Sequence, residues 1–401
     1  MNLRTIGIQE SPLGKNRVRL SGEISYDNRD FQREWWWFDV PAKSANYLSD
    51  TGNPWLACLI PLAVTLGEPL RIYKPVDRLL FESAHELMAI WKRWYPDLKI
   101  IPIEAELADD TKPRTLGKAA SFFSGGVDSF FTALRHSNQF DWPGRVNIDD
   151  LLSVWGFDIP LSNREAFNRM RDVMQKAALD LGRELVDVAT NIRDTRWWSS
   201  GYGRLSHGPA LASIGLFLEK KYSQVLIPST QPYDNLMPNG SHPLTDPLLS
   251  TNSTKIIHDG AGFDRVEKTE LVSKSDIAMR SLRVCWASQS DKNCQACNKC
   301  YRTMITLMLL GALNRCSTFS EANLEISKIQ RIYSEDDNDR TLLREVQTLA
   351  NRTGNRDVAR ALEKSFKRST RMSRYLRIIR RYKTKPFIWR LEHYLLSKSL
   401  T

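Results

Sequence analysis

The sequence predicts an α/β protein built round a parallel sheet, and three observations carry that expectation. From about Leu116 to Gly311, short apolar runs alternate with stretches of helical periodicity. Residues 1 to about 115 mix strand-like runs with two helical ones, and beyond Gly311 the pattern is helical throughout. Alternation of the first kind is what βαβ units produce, because each parallel strand needs a long crossover to return the chain to the same end of the sheet.

Taken in order, "VRLSGEISY", "EWWWFDV", "LRIYKPV" and "LKIIPIEAEL" read as strands, being rich in β-branched and aromatic residues. Helices are expected over Pro54 to Leu66 and Arg78 to Trp94. In the second, Leu79, Leu80, Ala84, Leu87, Met88 and Trp91 recur at helical spacing. The polar segment "ADDTKPRTLGKA" reads as a linker. After it come the strand "KAASFF", a helix from Val127 to Arg135, the strand "LLSVWGFDI", a helix from Arg164 to Leu181 and the strand "ELVDVAT". A helix from Leu205 to Lys220 and the strand "QVLIPS" complete the alternation. Three regions follow: an N-terminal α+β domain over 1–115, an α/β domain over 116–311, and a helical region with a basic tail over 312–401.

Composition bounds the function. The 401 residues can bury a large core, and 42% of them are hydrophobic. No window approaches the roughly 18 uninterrupted apolar residues of a membrane span, and "MNLRTIGIQESPLG" lacks the apolar centre of a secretory signal. A cytoplasmic setting is therefore expected, where the six cysteines would be reduced thiols or metal ligands. The net charge is +11, but it is unevenly placed. From Ser365 to Thr401 there are eleven Lys and Arg against one acid, a charge of +10 that leaves residues 1–364 at +1. Arg371, Arg374, Arg377 and Arg381 fall on one helical face. Such a face can be merely solvated, or can meet nucleic acid, an anionic membrane or an acidic partner.

One stretch carries chemistry. "SFFSGGVDS" ends an apolar strand in Ser124-Gly125-Gly126-Val127-Asp128-Ser129 and runs at once into a helix. A strand–turn–helix of this kind collects unpaired backbone amides at a helix N-terminus, where the dipole favours an anion. The glycines let phosphate oxygens approach the main chain, and Ser124 and Ser129 add hydroxyl donors. Asp128 would repel phosphate unless it binds Mg²⁺ or makes a structural bond.

Ser-Gly-Gly-Val-Asp-Ser resembles the pyrophosphate-loop signature of the N-type ATP pyrophosphatases. That resemblance implies a five-stranded parallel sheet and cleavage of ATP between its α and β phosphates. It implies also that the loop holds the leaving pyrophosphate, and that adenine binds near "LLSVWGFDI", with Trp155, Gly156 and Phe157 as candidate contacts.

Cys285, Cys294, Cys297 and Cys300 are spaced C-x8-C-x2-C-x2-C. Four closely spaced thiolates with no open position describe a structural Zn²⁺ site. Cys58 and Cys316 lie in apolar surroundings and read as core thiols. The loop followed by this cysteine group is similar to the 7-cyano-7-deazaguanine synthase family, a group of ATP-dependent, C–N bond-forming ligases of 7-deazaguanine (queuosine) biosynthesis. There too an arginine and a helix follow the knuckle, as Arg302 and "TMITLMLLG" do here. "EKTELVSK" matches a further segment, which puts Lys268 where a phosphate-contacting lysine belongs. The resemblance covers roughly residues 117 to 310.

Where that family carries an Arg-Asn pair, this chain reads "GYGRLSHGPALA", with Arg204 and His207 but no asparagine. Where the family has its base-binding stretch, this chain has "NGSHPLTDPLL", with His242 and Asp246. Arg204, assigned a catalytic role, and His207, His242, Asp246 and Arg265 are the candidate acceptor-pocket residues. The expected ligands are ATP, Mg²⁺ and Zn²⁺, with a deazapurine-like or macromolecular acceptor. Relatives with added domains, some in antiphage systems, modify other targets, and the extra regions here favour such a variant. A tRNA-modifying pyrophosphatase, which the basic tail would suit, and a non-catalytic nucleotide-binding partner protein are the alternatives.

Overall fold

The computed structural model describes residues 1–108, 117–138, 140–321, 323–334 and 337–381. Most of the linker expected over Ala108 to Ala119, and the tail from residue 382, lie outside the described residues. The chain divides into two compact units. The first comprises Met1–Ser124 and Asp128–Phe263; the second comprises Gly125–Val127 and the chain from Asp264 onward.

The first unit is an α/β unit organised by a single mixed sheet of ten strands. In chain order these are β1 (Asn2–Glu10), β2 (Arg17–Ser25), β3 (Glu34–Pro41), β4 (Leu70–Val76) and β5 (Ile103–Leu107). They continue with β6 (Lys118–Phe122), β7 (Asp150–Trp155), β8 (Glu184–Thr190), β9 (Tyr222–Pro228) and β10 (Lys255–Asp259). Across the sheet the order is β10-β9-β6-β7-β8-β3-β2-β1-β4-β5. Strands β6 to β10 pair in parallel throughout. Four of those five were legible in the sequence. The fifth, β10, is only "KIIHD" and follows a polar loop, so it offers too little pattern to read. The amino-terminal strand β1 was missed for a related reason: most of its residues are exposed or half-buried, so no apolar alternation marks it.

The N-terminal strands are joined to the parallel ones by an antiparallel pairing of β3 with β8, Phe38 opposite Thr190 and Asp39 opposite Ala189. Two residue pairs are little, and side chains reinforce them. The Thr190 hydroxyl donates to the Trp37 carbonyl at 2.8 Å, and Asn191 Oδ1 accepts the Trp37 amide at 2.9 Å. Arg17 clamps the joint, pairing with buried Asp39 at 2.8 Å and also with Asp187.

Helices cover the sheet. The helix α1 (Asn53–Leu66) is buried almost all round and packs on α5 (His207–Phe217), which is equally buried. Both are apolar on every face, as helices sandwiched in a core must be. By contrast α2 (Arg78–Trp94) buries only Leu80, Ala84, Leu87, Met88 and Trp91, and Asp77 caps its start by accepting the Leu79 and Leu80 amides. The remaining helices of this unit are α3 (Val127–Arg135) and α4 (Arg164–Asp180). The helix expected from Leu205 begins instead at His207, after one π-helical turn over Tyr202–Ser206.

Among the described residues the second unit is helical: α6 (Arg265–Ser273), α7 (Asp276–Ser281), α8 (Asn298–Leu309), α9 (Ile326–Arg331), α10 (Asp337–Arg352) and α11 (Arg356–Arg381). Asp264 and Glu267 form a reciprocal capping box at the start of α6. Glu345 on α10 accepts the Arg265 backbone amide at 3.1 Å. Among the described residues no helix is long and apolar enough to cross a membrane.

Burial, then the neighbouring Asp264, pushes the Glu345 carboxyl from its ordinary 4.5 up to about 7. A carboxyl whose pKa is raised by folding contributes stability that is complete below its unfolded value and is lost as pH rises through its folded one. Thermal unfolding followed from pH 4.5 to above 7 should therefore show Glu345→Gln flattening the decline in Tm, since glutamine still accepts the Arg265 amide. An unchanged pH profile would remove Glu345 from that role.

Candidate functional site

Strand β6 lies at the middle of the parallel run, with β7 and β8 on one side and β9 and β10 on the other. The strand order reverses beside it, and the carboxyl ends of strands at such a switch point are where open α/β sheets bind ligands. The predicted turn leaves β6 there. Phe123 still pairs with the sheet, its amide donating to Leu152 O at 2.7 Å. Ser124 is exposed, Gly125 is buried with φ +79°, and α3 begins at Val127. A left-handed backbone here demands glycine. Asp128 and Ser129 occupy the first turn of α3, Asp128 half-buried and Ser129 buried. The Thr230 hydroxyl, just past β9, approaches Asp128 Oδ2 at 3.4 Å. In the second unit, Gly125 O accepts the Arg283 amide at 2.8 Å.

The turn is held by anchoring the helix behind it. Phe123 and Phe130 meet edge to face at 4.8 Å, and Phe131 is buried beside them. Asp259, at the end of β10, accepts from Thr132 at 2.8 Å and His136 Nε2 at 3.0 Å and pairs with Arg135 at 3.3 Å. Burial opposes ionisation of Asp259, but His136 and Arg135 hold its carboxyl below the usual range. At the other end of α3, Arg183 donates to the Ala133 and His136 carbonyls at 2.7 and 3.0 Å. A buried cation on the last carbonyls satisfies them and complements the dipole, which leaves the amide end of α3 directed at the turn.

Trp155 and Phe157 sit at the end of β7. Trp155 stacks on Phe167 with centroids 4.8 Å apart and donates Nε1 to Pro160 O at 3.1 Å. Phe157 meets Tyr202 edge-on at 5.8 Å. Between them Gly156 has φ +100°, and a Cβ there would lie 2.0 Å from Thr190 O. The backbone at this end of β7 therefore packs directly on β8.

The sequence-predicted acceptor residues are distributed unevenly. Segment 240–246 packs on the start of α5: Gly208 N donates to Gly240 O at 2.6 Å, and a Cβ on Gly208 would lie 2.1 Å from Asp246 Oδ1. Asp246 is buried and accepts Ser241 Oγ at 2.7 Å and the His242 amide at 3.2 Å. It also meets His258 Nδ1 at 2.7 Å. His258, on β10, was missed by the sequence reading; a lone histidine in an unrecognised strand leaves no signal. His242 is buried edge-on to Trp94 at 4.8 Å. Burial, then His258, holds its pKa below the ordinary value, so the ring is neutral near pH 7. His207 packs against Tyr202 at 4.7 Å. Arg204 is exposed, over Tyr95 and ion-paired with Asp97. Arg265 and Lys268 belong to the second unit, on α6, with Lys268 wholly buried.

The cysteine group is brought together. The sulfurs of Cys285, Cys294, Cys297 and Cys300 all lie within 4.8 Å of one another. Cys285 to Cys297 is 3.9 Å and Cys294 to Cys300 is 3.8 Å. Those separations are far beyond a disulfide bond of about 2.05 Å. They agree with a tetrahedron of about 2.3 Å Zn–S bonds, whose edges are about 3.8 Å. The Cys294 sulfur accepts the Cys297 and Ala296 amides, and the Cys285 sulfur accepts the Ser288 amide. Asn293 braces the loop, Oδ1 accepting the Val284 amide at 2.9 Å and Nδ2 donating to Leu282 O at 2.9 Å. A hydrogen bond shared with Cys300 pulls the Cys297 thiol down to about 5 and pushes Cys300 up. The cluster can thus hold a metal ion such as zinc. Cys58 and Cys316 are both buried apart from it, and burial pushes the Cys58 thiol up to about 12.

No protein-family model matches the chain, and neither the curated proteins nor the solved structures it was compared with give a match.

Metal analysis of the purified protein should find one zinc per chain, and Cys297→Ser should lose it. Removing the ion with a strong chelator should lower the Tm, because three of the four ligands lie in the loop that precedes α8 and the ion ties that loop to the helix. Full-length protein free of metal, with an unchanged Tm after chelation, would contradict the assignment.

Proposed function

We propose that this chain is an ATP-dependent, adenylate-forming enzyme of the 7-cyano-7-deazaguanine synthase type. The observation that supports this reading best is the Ser124–Ser129 turn, where β6 passes into α3 at the reversal of strand order. In this reading the amides of Gly125 to Ser129 and the hydroxyls of Ser124 and Ser129 receive the β and γ phosphates. A substrate carboxylate oxygen attacks the α-phosphorus, the bond to the bridging oxygen of the β-phosphate breaks, and pyrophosphate leaves. Ammonia then displaces AMP from the adenylate to give an amide. Donors fixed before the reaction stabilise charge as it develops on the leaving group, without reorganisation at that moment.

Asp128 would hold Mg²⁺, which supplies positive charge to the phosphates. Asp128 sits half-buried in the first turn of α3, with the Thr230 hydroxyl at 3.4 Å from Oδ2. Lys268, in the same unit as Gly125–Val127, is the cation assigned to the departing pyrophosphate. The cysteine cluster has no open coordination position in a four-thiolate site and is assigned structure rather than chemistry. Within this reading His242, neutral and backed by Asp246 and His258, serves the acceptor as a hydrogen-bonding group.

Incubation with α- and γ-labelled ATP, ammonia and candidate 7-deazaguanines, proteins and tRNA should yield AMP and pyrophosphate, with a mass change in one acceptor. Asp128→Ala and Ser124→Ala should each reduce turnover on the order of 10²–10³-fold while zinc content and Tm are kept. ADP and orthophosphate as the primary products, with Asp128→Ala unaffected, would overturn the reading.

A further inference from the structure

The basic helix α11 has a division of faces that the ATP reading does not use. Val358, Ala361, Leu362, Ser365, Ser369 and Leu376 are buried. The Ser365 hydroxyl donates to Ile332 O at 2.9 Å, and Ser369 Oγ accepts the Ser334 amide at 3.1 Å. Over residues 356–374 this face of α11 is therefore spent inside its own unit. On the opposite face Arg356, Arg360, Lys364, Lys367, Arg371 and Arg374 are all exposed. Their spacing of four, four, three, four and three residues keeps them in one stripe. At about 1.5 Å per residue the stripe is about 27 Å long, with one cation every 5 Å or so.

Neutralisation of that stripe is sparse. Among the described residues only Lys367 of the six takes an ion pair, to Glu363 at 3.4 Å. Arg368, at its side, donates to the backbone carbonyl of Arg331 and so stands beside a second arginine. The sequence continues the excess, with seven more Lys and Arg against one acid between residues 377 and 401.

We infer that this face of α11 binds nucleic acid through its phosphate backbone, without regard to base sequence. Three considerations select that partner. A membrane-surface helix needs an apolar face to insert, and behind the stripe, over residues 356–374, that face of α11 is already buried. A protein interface is built on an apolar or aromatic centre, and the six stripe residues include neither. A duplex offers one charge per about 1.7 Å of its axis, dense enough to match every cation of the stripe, and the four arginines suit phosphate oxygens geometrically. Binding of this kind is independent of whether ATP is cleaved at Ser124–Ser129.

The test is fluorescence anisotropy of full-length protein with a labelled duplex RNA or DNA of arbitrary sequence, about two helical turns long. For six phosphate contacts, affinity should fall about 10³-fold between 50 and 200 mM salt. The fourfold variant Arg360→Gln, Lys364→Gln, Arg371→Gln, Arg374→Gln should bind at least about tenfold more weakly at 50 mM salt, with a log–log salt slope shallower by 3 to 4. Its four positions are exposed, so the Tm should be kept. The charge-preserving variant, with lysine at the three arginines, should retain the salt slope. The inference is overturned if the duplex is not bound at 50 mM salt, or if the fourfold variant binds like the wild type. Tighter binding to phosphatidylserine vesicles or to polyglutamate than to the duplex, at equal salt, overturns it too.

Discussion

Gly125 takes φ +79°, a conformation that side chains with a Cβ adopt only under strain, and this lets the chain leave β6 and start α3 with only four residues between them. The consequences run through the first unit. A short exit brings the amide end of α3 to the carboxyl end of the central parallel strand. Asp259, Thr132 and His136 tie the helix to β10, and Arg183 occupies its far carbonyls. The turn itself carries backbone amides and the side chains of Ser124, Asp128 and Ser129. A helix N-terminus following a glycine turn is a setting that favours anions in general.

A parallel sheet must be covered on both faces, and here the covering is shared with the N-terminal region. The helix α1, from the first hundred residues, packs on α5, and β3 extends the sheet beyond β8. Buried polar groups mark the same joint. Glu219, after α5, accepts from Asn53 Nδ2 at 2.9 Å and Thr51 Oγ1 at 2.7 Å. Asp77 accepts the Asn252 amide at 3.1 Å. Burial pushes the Glu219 carboxyl up, and the three side-chain donors from Ser49, Thr51 and Asn53 work against that shift. Residues 1–107 thus contribute helix, strand and hydrogen-bond donors to the first unit, which carries the parallel strands.

What could be read in advance follows from where the physics is local. The limits of α2 were legible because an amphipathic stripe is written in consecutive residues. The cysteine cluster was legible because knuckle ligands are close in sequence and need only a loop to meet. The strand–turn–helix at Ser124 was legible because glycine and serine occur where backbone geometry requires them. Other features depend on distant partners. The union of two strand groups into one sheet rests on Phe38 and Asp39 meeting Thr190 and Ala189, about 150 positions away. The Asp246–His258 pair joins a loop to a strand that carries almost no pattern of its own. Trp155, a candidate adenine contact by resemblance, is stacked on Phe167 and bonded to Pro160, and its own position reveals neither partner.

We propose that the turn after β6 supports reversible adenylation. Exchange of labelled pyrophosphate into ATP measures that step without knowledge of the final acceptor chemistry, because it needs only adenylate formation and its reversal. Exchange should require Mg²⁺ and a carboxylate acceptor, fall on the order of 10²–10³-fold in Asp128→Ala, and persist when ammonia is withheld. Exchange unaffected by Asp128→Ala, or pyrophosphate never returning to ATP with any 7-deazaguanine, protein or tRNA acceptor that the enzyme modifies, would contradict it.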